Sequence, residues 1–413
     1  MMPDPCSAGR SGAPLPLEAA RLRALAAARP LREAEELPLH LALGRVLAAP
    51  ATAQLDLPPF DNAAMDGYAL HADDLAGGEV AIEGRTVAGD AVGPPLRPGV
   101  AWRIMTGAPV PEGTAAVVMQ ERARRSGDRL QLDRSVASGA NIRRQGEDRE
   151  AGSEALEAGR LLTPGALALL AGCGLAAVPV IRRLRVTVLS TGSELVEPGA
   201  ALGPGQIVNT NRVLLRAMLD VPWVDLRDGG ILPDDPSLIR AAIRAAALAS
   251  DVVISSGGVS AGEADHVLDA LAREEAELAV LKVAIRPGKP LTVGRVGGAL
   301  WVGLPGNPFA AAVTFAAIAR PALRRTAGLP AVTDIWLPGV AGFSLSRAAG
   351  RAEFVPVAWD ARDAMGRPIL LRLGVGASAS LSPIAHAQGL ALIPAEMAEV
   401  RPGSPLAVEP IAI

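Results

Sequence analysis

From Leu184 to Arg320 short apolar, β-branched runs alternate with stretches of helical period. RVTVLS, DVVISS, ELAVLKVAI and ALWVGL read as strands, and WVDLRDGGIL as a strand plus a turn. NTNRVLLRAMLD, GEADHVLDALAREE and NPFAAAVTFAAIAR read as helices. So does DDPSLIRAAIRAAALAS, with Asp235 as its N-cap and Pro236 in the first turn. Strands that are apolar throughout, joined by helices, predict a parallel sheet covered on both faces over residues 182–328. Upstream, residues 16–50 carry a helical pattern with a second start near Leu41, and residues 144–181 return to it. Between them, residues 51–143 consist of short runs broken by Gly and Pro, the texture of a β-rich module. Residues 329–413 (FVPVAW, PILLRLGV, LALIPA, LAVEPIAI) predict a C-terminal β-domain. The expectation is a multidomain α/β plus β protein. It has a flexible tail (1–13), a helical linking region made of 14–50 and 144–181, a β-rich module, a central α/β domain and a C-terminal β-domain.

Composition narrows the class. At 413 residues, half of them apolar and 20% charged, the chain can build several cores, and it lacks the signature of disorder. A net charge of −3, without a basic run interleaved with aromatics, argues against nucleic-acid binding. Two cysteines, Cys6 and Cys173, make no disulfide framework, which suits a reducing cytoplasm. The 21 uncharged residues Leu161–Ile181 are divided by Pro164, Gly165, Gly172, Gly174 and Pro179. They read as a short buried helix capped by Thr163, then a strand, and no membrane segment is expected. The first residues carry no basic and apolar secretory pattern. The four histidines have no ligand spacing.

Three strand ends hold the candidate chemistry: Ser190-Thr191-Gly192-Ser193-Glu194, Ser255-Ser256-Gly257-Gly258-Val259-Ser260, and Gly303-Leu304-Pro305-Gly306-Asn307-Pro308. Ligands of open α/β sheets bind beyond the carboxyl ends of the strands, and glycines with small hydroxyls let backbone N–H groups approach a phosphate. Each segment alone is also compatible with a plain tight turn; three at one edge favour a site. None is a nucleoside-triphosphate or dinucleotide loop. Glu194, Asp234, Asp235, Glu263 and Asp265 fall at the same edge. Carboxylates beside a phosphate loop need a hard cation, so Mg²⁺ is expected. Capping alone would account for Asp235 and Glu263, whereas Asp265 points to function. Lys282, Arg286 and Lys289 form a cationic turn suited to an anion, or simply a solvated one. In the β-module, FDNAAMDGYA (60–69), RIMTGAPVP (103–111) and IRRQGED (142–148) are polar and Gly-marked.

These segments, with STGSEL (190–195), NTNR (209–212), DVVISSGGVSAGEAD (251–265), RPGKP (286–290) and GLPGNP (303–308), resemble the MoeA family. The resemblance implies four domains per chain, a central domain of the molybdopterin adenylyltransferase (MogA-like) type, and an elongated homodimer. It implies a molybdopterin molybdenumtransferase: adenylylated molybdopterin and molybdate give molybdenum cofactor and AMP, with Mg²⁺. Asp66, Thr106, Asp148, Glu194, Asp234, Asp265, Lys282, Lys289, Pro305 and Pro308 match positions important in the family. Catalysis falls to Asp66, Glu194, Asp234 and Asp265, the last three also as Mg²⁺ ligands. Thr106, Asp148, Thr191, Ser255, Ser256, Gly257, Gly258, Lys282, Arg286, Lys289, Pro305, Pro308 and Arg351 are expected to bind substrate. The chain departs from the pattern at Arg286, where Lys is common, at Ser193, where Asp is common, and at Ala310, where Ser is frequent. ASASLSP (377–383) follows it only loosely.

Other proteins of cofactor synthesis are conceivable partners. An adenylyltransferase-like enzyme is the second enzymatic reading, but the flanking β-modules argue against it. A non-catalytic scaffold of the same fold would need an appended domain or linker.

Overall fold

The computed structural model describes residues 13–258, 266–330 and 336–411. The chain divides into two units: one gathers the N-terminal part up to Glu35, Gly44–Ala48 and the chain from Ile181 onward, the other Glu36–Leu43 and Ala49–Val180.

The helical stretch at the start is shorter than its pattern suggests. Helix α1 covers Leu17–Ala27 and stops before Pro30, and Ala34–Pro38 is extended. The second start near Leu41 is a single 3₁₀ turn, Leu39–Leu41. Of residues 144–181 only α2, Pro164–Gly172, is helical. The Thr163 hydroxyl caps it by accepting from Ala166 N–H at 3.2 Å, and Gly174 with φ +86° follows its end. Only Leu170 of this helix is buried, so it is not the core helix its composition suggests. Abundant Ala made extended and turn segments look helical: it favours helices but does not enforce them. Helices α1 and α2 lie in different units.

The second unit carries a six-stranded sheet of β1 (Gly67–His71), β2 (Gly78–Thr86), β3 (Val100–Ile104), β4 (Thr114–Met119), β5 (Ala123–Ser126) and β6 (Arg129–Leu132). Its order is β4-β1-β3-β2-β6-β5. Two apolar clusters pack it, one around Ile104 and Val117, the other around Leu70 and Leu130.

The first unit holds the central sheet. Its members are β7 (Leu184–Thr191), α3 (Thr210–Leu219), β8 (Val224–Leu232), α4 (Pro236–Ala249), β9 (Val252–Ser256), α5 (His266–Arg273), β10 (Glu277–Lys282), β11 (Pro290–Val296) and β12 (Ala299–Leu304). The order is β8-β7-β9-β12-β11-β10. The sheet is mixed, because β11 runs antiparallel to both β12 and β10. Sequence alone missed β11: Gly294 inside it and the prolines before it read as a turn. Trp301 is fully buried on β12, its indole N–H donating to the Thr292 hydroxyl at 3.0 Å.

After β12 one helical run covers α6 (Pro308–Thr314), a π-helical turn (Phe315–Ala319) and α7 (Arg320–Thr326). Pro321 has no N–H to give the carbonyl four residues back, that of Ala317. Arg21 of α1 supplies the missing donor through Nε at 3.0 Å. One side chain thus explains both how the helix tolerates proline and why α1 docks there.

The last strands are β13 (Leu337–Ala341), β14 (Ala352–Ala358), β15 (Ile369–Arg372), β16 (Gly389–Ile393) and β17 (Pro405–Pro410). They pair in the order β14-β15-β13-β17-β16 and close through a β14–β16 pairing, making a small barrel filled by Val355, Val357, Leu370, Ala391, Ile393 and Val408. Closure leaves no free edge within the ring. The two-residue strand Ile285–Arg286 joins β14 in parallel, Arg286 opposite Glu353.

Candidate functional site

Ser190 is in register with Ser256 of β9 and Ile231 of β8, and Ser256 with Leu304 of β12, so these strands end level. The turns that follow are built on glycine. Gly257 has φ +91°, and a Cβ there would sit 2.7 Å from the Thr191 carbonyl oxygen. Gly258 has φ +65°, and its Cβ would press to 2.3 Å on Val267. Only glycine takes both the left-handed conformation and the contact. Gly257 N–H donates to the Leu304 carbonyl and Gly192 N–H to that of Leu232.

The cleft is polar and under-bonded. Asn211, in the first turn of α3, donates through Nδ2 to the Ser256 hydroxyl at 2.7 Å and to the Gly306 carbonyl at 2.6 Å, joining two strand ends. Around it, Ser190 Oγ, Thr191 Oγ1, Ser255 Oγ, Asn209 Nδ2 and Asn211 Oδ1 are buried without a hydrogen-bond partner among the described residues. A buried polar group left unpaired costs about 1–3 kcal/mol, so this many at one edge mark a surface made for a polar ligand. Asn209 and Asn211 lay in a motif noted for resemblance alone. The readable signal was their place at a helix start directly after a strand end.

Acidic groups flank the cleft. Asp234 Oδ2 accepts from Ser193 N–H at 3.0 Å, and the Ser193 hydroxyl accepts from Asp234 N–H at 2.9 Å. The Glu194 carboxylate folds back over Gly192, and both acids are exposed. Asp235 caps α4, accepting from Ser237 and Leu238 N–H, which is the bland role expected for it. Asp265 and Glu263 lie outside the described residues, as do Val259 and Ser260. Among the described residues no three His, Cys, Asp or Glu side chains gather to hold a metal.

On the other side, Pro305 is buried and Pro308 opens α6. Asn307 does not cap that helix; its Nδ2 donates to the Ser378 hydroxyl at 2.9 Å, while Phe309 N–H donates to the Ser378 carbonyl at 3.0 Å. A barrel loop is thereby tied to the Pro-Gly-Asn-Pro turn. In the cationic turn, Lys289 is exposed and its carbonyl accepts from Val283 N–H at 2.8 Å. Lys282 ends β10, half-buried. Arg286 faces the buried Glu353 carboxylate at 3.8 Å. Arg351 is exposed, its carbonyl accepting from Arg347 at 2.6 Å.

Asp66, Thr106 and Asp148 belong to the second unit. Thr106 donates both its N–H and its hydroxyl to Asp66 Oδ1, each at 2.8 Å. Its amide, then its hydroxyl, hold the Asp66 carboxyl below the usual carboxylate range. Arg103 reaches from β3 to Gly67 carbonyl and Gln120, stacking over Tyr68 at 4.9 Å. Asp148 is exposed, its N–H bonded to the Leu57 carbonyl.

Comparison with known proteins agrees with this architecture. Residues 15–174 match the MoeA N-terminal region (domain I and II), 187–325 a probable molybdopterin binding domain, and 338–411 the MoeA C-terminal region (domain IV). Molybdopterin molybdenumtransferase 2 of Mycobacterium tuberculosis is 38% identical over 90% of this chain and 93% of its own length. The molybdopterin molybdenumtransferase of Haemophilus influenzae is 39% identical over 78% and 80%. The crystal structure of the molybdopterin biosynthesis MoeA protein from Pyrococcus horikoshii OT3 superposes with a TM-score of 0.81 at 27% identity, covering 97% of this chain and all of that one. An α/β sheet with a polar strand-end cleft, flanked by β-modules, thus defines an enzyme of molybdenum-cofactor biosynthesis. Within that class, the chain belongs to the MoeA family. Among the described residues no helix is long and apolar enough to cross a membrane.

Proposed function

We propose that this enzyme inserts molybdate into adenylylated molybdopterin, releasing AMP and forming molybdenum cofactor. The observation that carries the reading is the cleft itself: buried hydroxyls and amides without partners among the described residues, at level strand ends next to left-handed glycines. Such a surface suits the phosphate, hydroxyl and amide groups of a pterin nucleotide, which would satisfy the groups the fold leaves unpaired.

In this reading Thr191, Ser255, Ser256, Gly257 and Gly258 bind the phosphate-bearing substrate, with Pro305 and Pro308 shaping the wall. Lys282, Arg286 and Lys289 hold the oxyanion, together with Arg351. Thr106 and Asp148 are assigned to substrate binding as the family resemblance implies, and Asp66 is assigned as a catalytic carboxylate, kept ionised by Thr106. Glu194 and Asp234 are exposed oxygen donors flanking Ser193, which fits Mg²⁺, an ion commonly bound through one or two carboxylates and substrate phosphates. Asp265 is assigned to the same set from the sequence. When bound, Mg²⁺ supplies positive charge against the phosphate being cleaved. A homodimer working in the cytoplasm, with no nucleic acid or membrane as partner, completes the proposal.

The test is direct. Purified protein is incubated with adenylylated molybdopterin and Mg²⁺, with and without molybdate, and AMP is measured. Release that depends on molybdate is expected; release of equal rate without it overturns the reading.

A further inference from the structure

The barrel contributes more than a wall. Glu353 on β14 is 2% exposed, yet its Oε2 has no hydrogen-bond partner among the described residues. Two guanidiniums approach this carboxylate, and a third lies near it. Arg286 Nε stands 3.8 Å from Oε1 and Arg347 3.5 Å from Oε2, both beyond ordinary hydrogen-bond length. The third belongs to Arg372 at the end of β15. A Cβ on Gly376 would lie 3.0 Å from Arg372 Nη2 and 3.8 Å from Glu353 Oε1, so both side chains border that glycine.

The three arginines are not equivalent. Arg347 is committed to the barrel, donating to the carbonyls of Met397, Arg351 and Pro394. Arg286 is fixed in register opposite Glu353, but its side chain is 48% exposed. Arg372 has a buried Nε with no hydrogen-bond partner among the described residues. Two positive charges thus face one negative charge, a third stands across Gly376, and Arg372 keeps an unused donor among the described residues. Partly buried guanidiniums are stable when paired with a planar or tetrahedral oxyanion, and a single carboxylate does not saturate these.

We propose that Arg372 is a further oxyanion-binding residue, grouped with Arg286 around the Glu353 carboxylate and taking a tetrahedral dianion beside Gly376. This rests on the oxyanion role given above to the Arg286 turn and extends it to the barrel. The dianion is the free oxyanion substrate; a phosphate group of the pterin substrate has the same chemistry and is the competing source.

The full-length protein is titrated with sodium molybdate at saturating adenylylated molybdopterin, following AMP, and separately with the pterin. Thermal unfolding with molybdate alone or inorganic phosphate alone gives a readout independent of turnover. Arg372→Gln should raise the half-saturating molybdate concentration about ten- to a hundredfold, the loss of a charged hydrogen bond. It should also abolish the molybdate-induced thermal shift, and leave pterin half-saturation unchanged. Arg372→Lys keeps a point charge without the fork and should fall between Gln and wild type in both readouts. If Arg372→Gln does not fold, the Lys variant carries the same comparison. A folded variant with wild-type molybdate dependence overturns the proposal, and so does one whose pterin affinity falls as far as its molybdate affinity. Should wild-type AMP release prove indifferent to molybdate, the proposed reaction fails, while the thermal shifts still judge Arg372.

Discussion

Thr106 spends both its backbone and side-chain donors on one oxygen of Asp66, although the two residues are 40 positions apart. The pair crosses from the start of β1 to the turn after β3, so the sheet itself sets the geometry of an exposed carboxylate.

Thr106→Val removes the hydroxyl but keeps the amide, the larger of the two influences. The Asp66 carboxyl should therefore titrate higher than in wild type, while remaining below an unperturbed Asp. A carboxyl-resolved NMR titration of both proteins measures this; an unmoved Asp66 would show that the hydroxyl bond contributes nothing.

Asp251 shows the opposite balance. Burial raises its pKa, but Arg182 donates twice and Arg185 three times, through its amide as well as its guanidinium. The net result is a carboxyl held far below the usual range. Because the folded pKa is depressed, this stabilisation is present above the unfolded value near 4 and is lost as pH falls below it. Asp251→Asn should cost about 2–3 kcal/mol at pH 7, less than a fully buried pair because Arg185 stays 39% exposed. The difference from wild type should shrink on acidification towards pH 2. Denaturant unfolding at a series of pH values follows it, and a pH-independent difference would contradict the ionic origin.

Gly257→Ala forces a side chain into a left-handed position 2.7 Å from the Thr191 carbonyl. Strain of about 1–3 kcal/mol is expected in thermal unfolding, with a larger effect on AMP release, because the turn displaces neighbouring cleft hydroxyls. Equal activity at reduced stability would place the cleft elsewhere.

Lys289→Ala should weaken molybdate dependence about ten- to a hundredfold while sparing binding of adenylylated molybdopterin, since a point charge suits a compact oxyanion and the proposed reading gives the phosphate to backbone and hydroxyl groups. Titrating each ligand separately decides whether the turn serves the oxyanion or the phosphate.

Asp265→Asn is expected to retain less than about a tenth of the wild-type rate of AMP release with the fold intact, the loss of more than about 1.4 kcal/mol of transition-state stabilisation. Single-turnover AMP release and circular dichroism of the same preparation separate the two effects.

Period and punctuation made the central α/β alternation, the β-rich module and the barrel strands legible. The Asp235 and Thr163 caps were equally readable, because capping is local chemistry. What stayed hidden depends on contacts between distant residues. Strand β11 reverses direction beside β12, and no local signal distinguishes that from a parallel neighbour. Ala-rich segments after Ala27 imitate helices that tertiary pairing overrides. Within the site, Ser255 and Gly257 announced themselves as strand-end residues. Glu353 and Arg372 did not, since a Glu and an Arg on β-strands look like ordinary solvent-facing positions until closure of the barrel buries the first and half-buries the second.

That closure carries a consequence for how this chain can change. Arg286 meets Glu353 because the two-residue strand it ends is laid in parallel on β14, one ladder step being about 3.3 Å. Adding or deleting a single residue between Ala352 and Glu353, inside β14, would slide the strand's register past the turn and point the Glu353 side chain to the opposite face. Surface loops such as the one around Gly366 can lengthen freely. This stretch of strand cannot, so insertions and deletions among homologous chains should avoid it even where sequence identity is low.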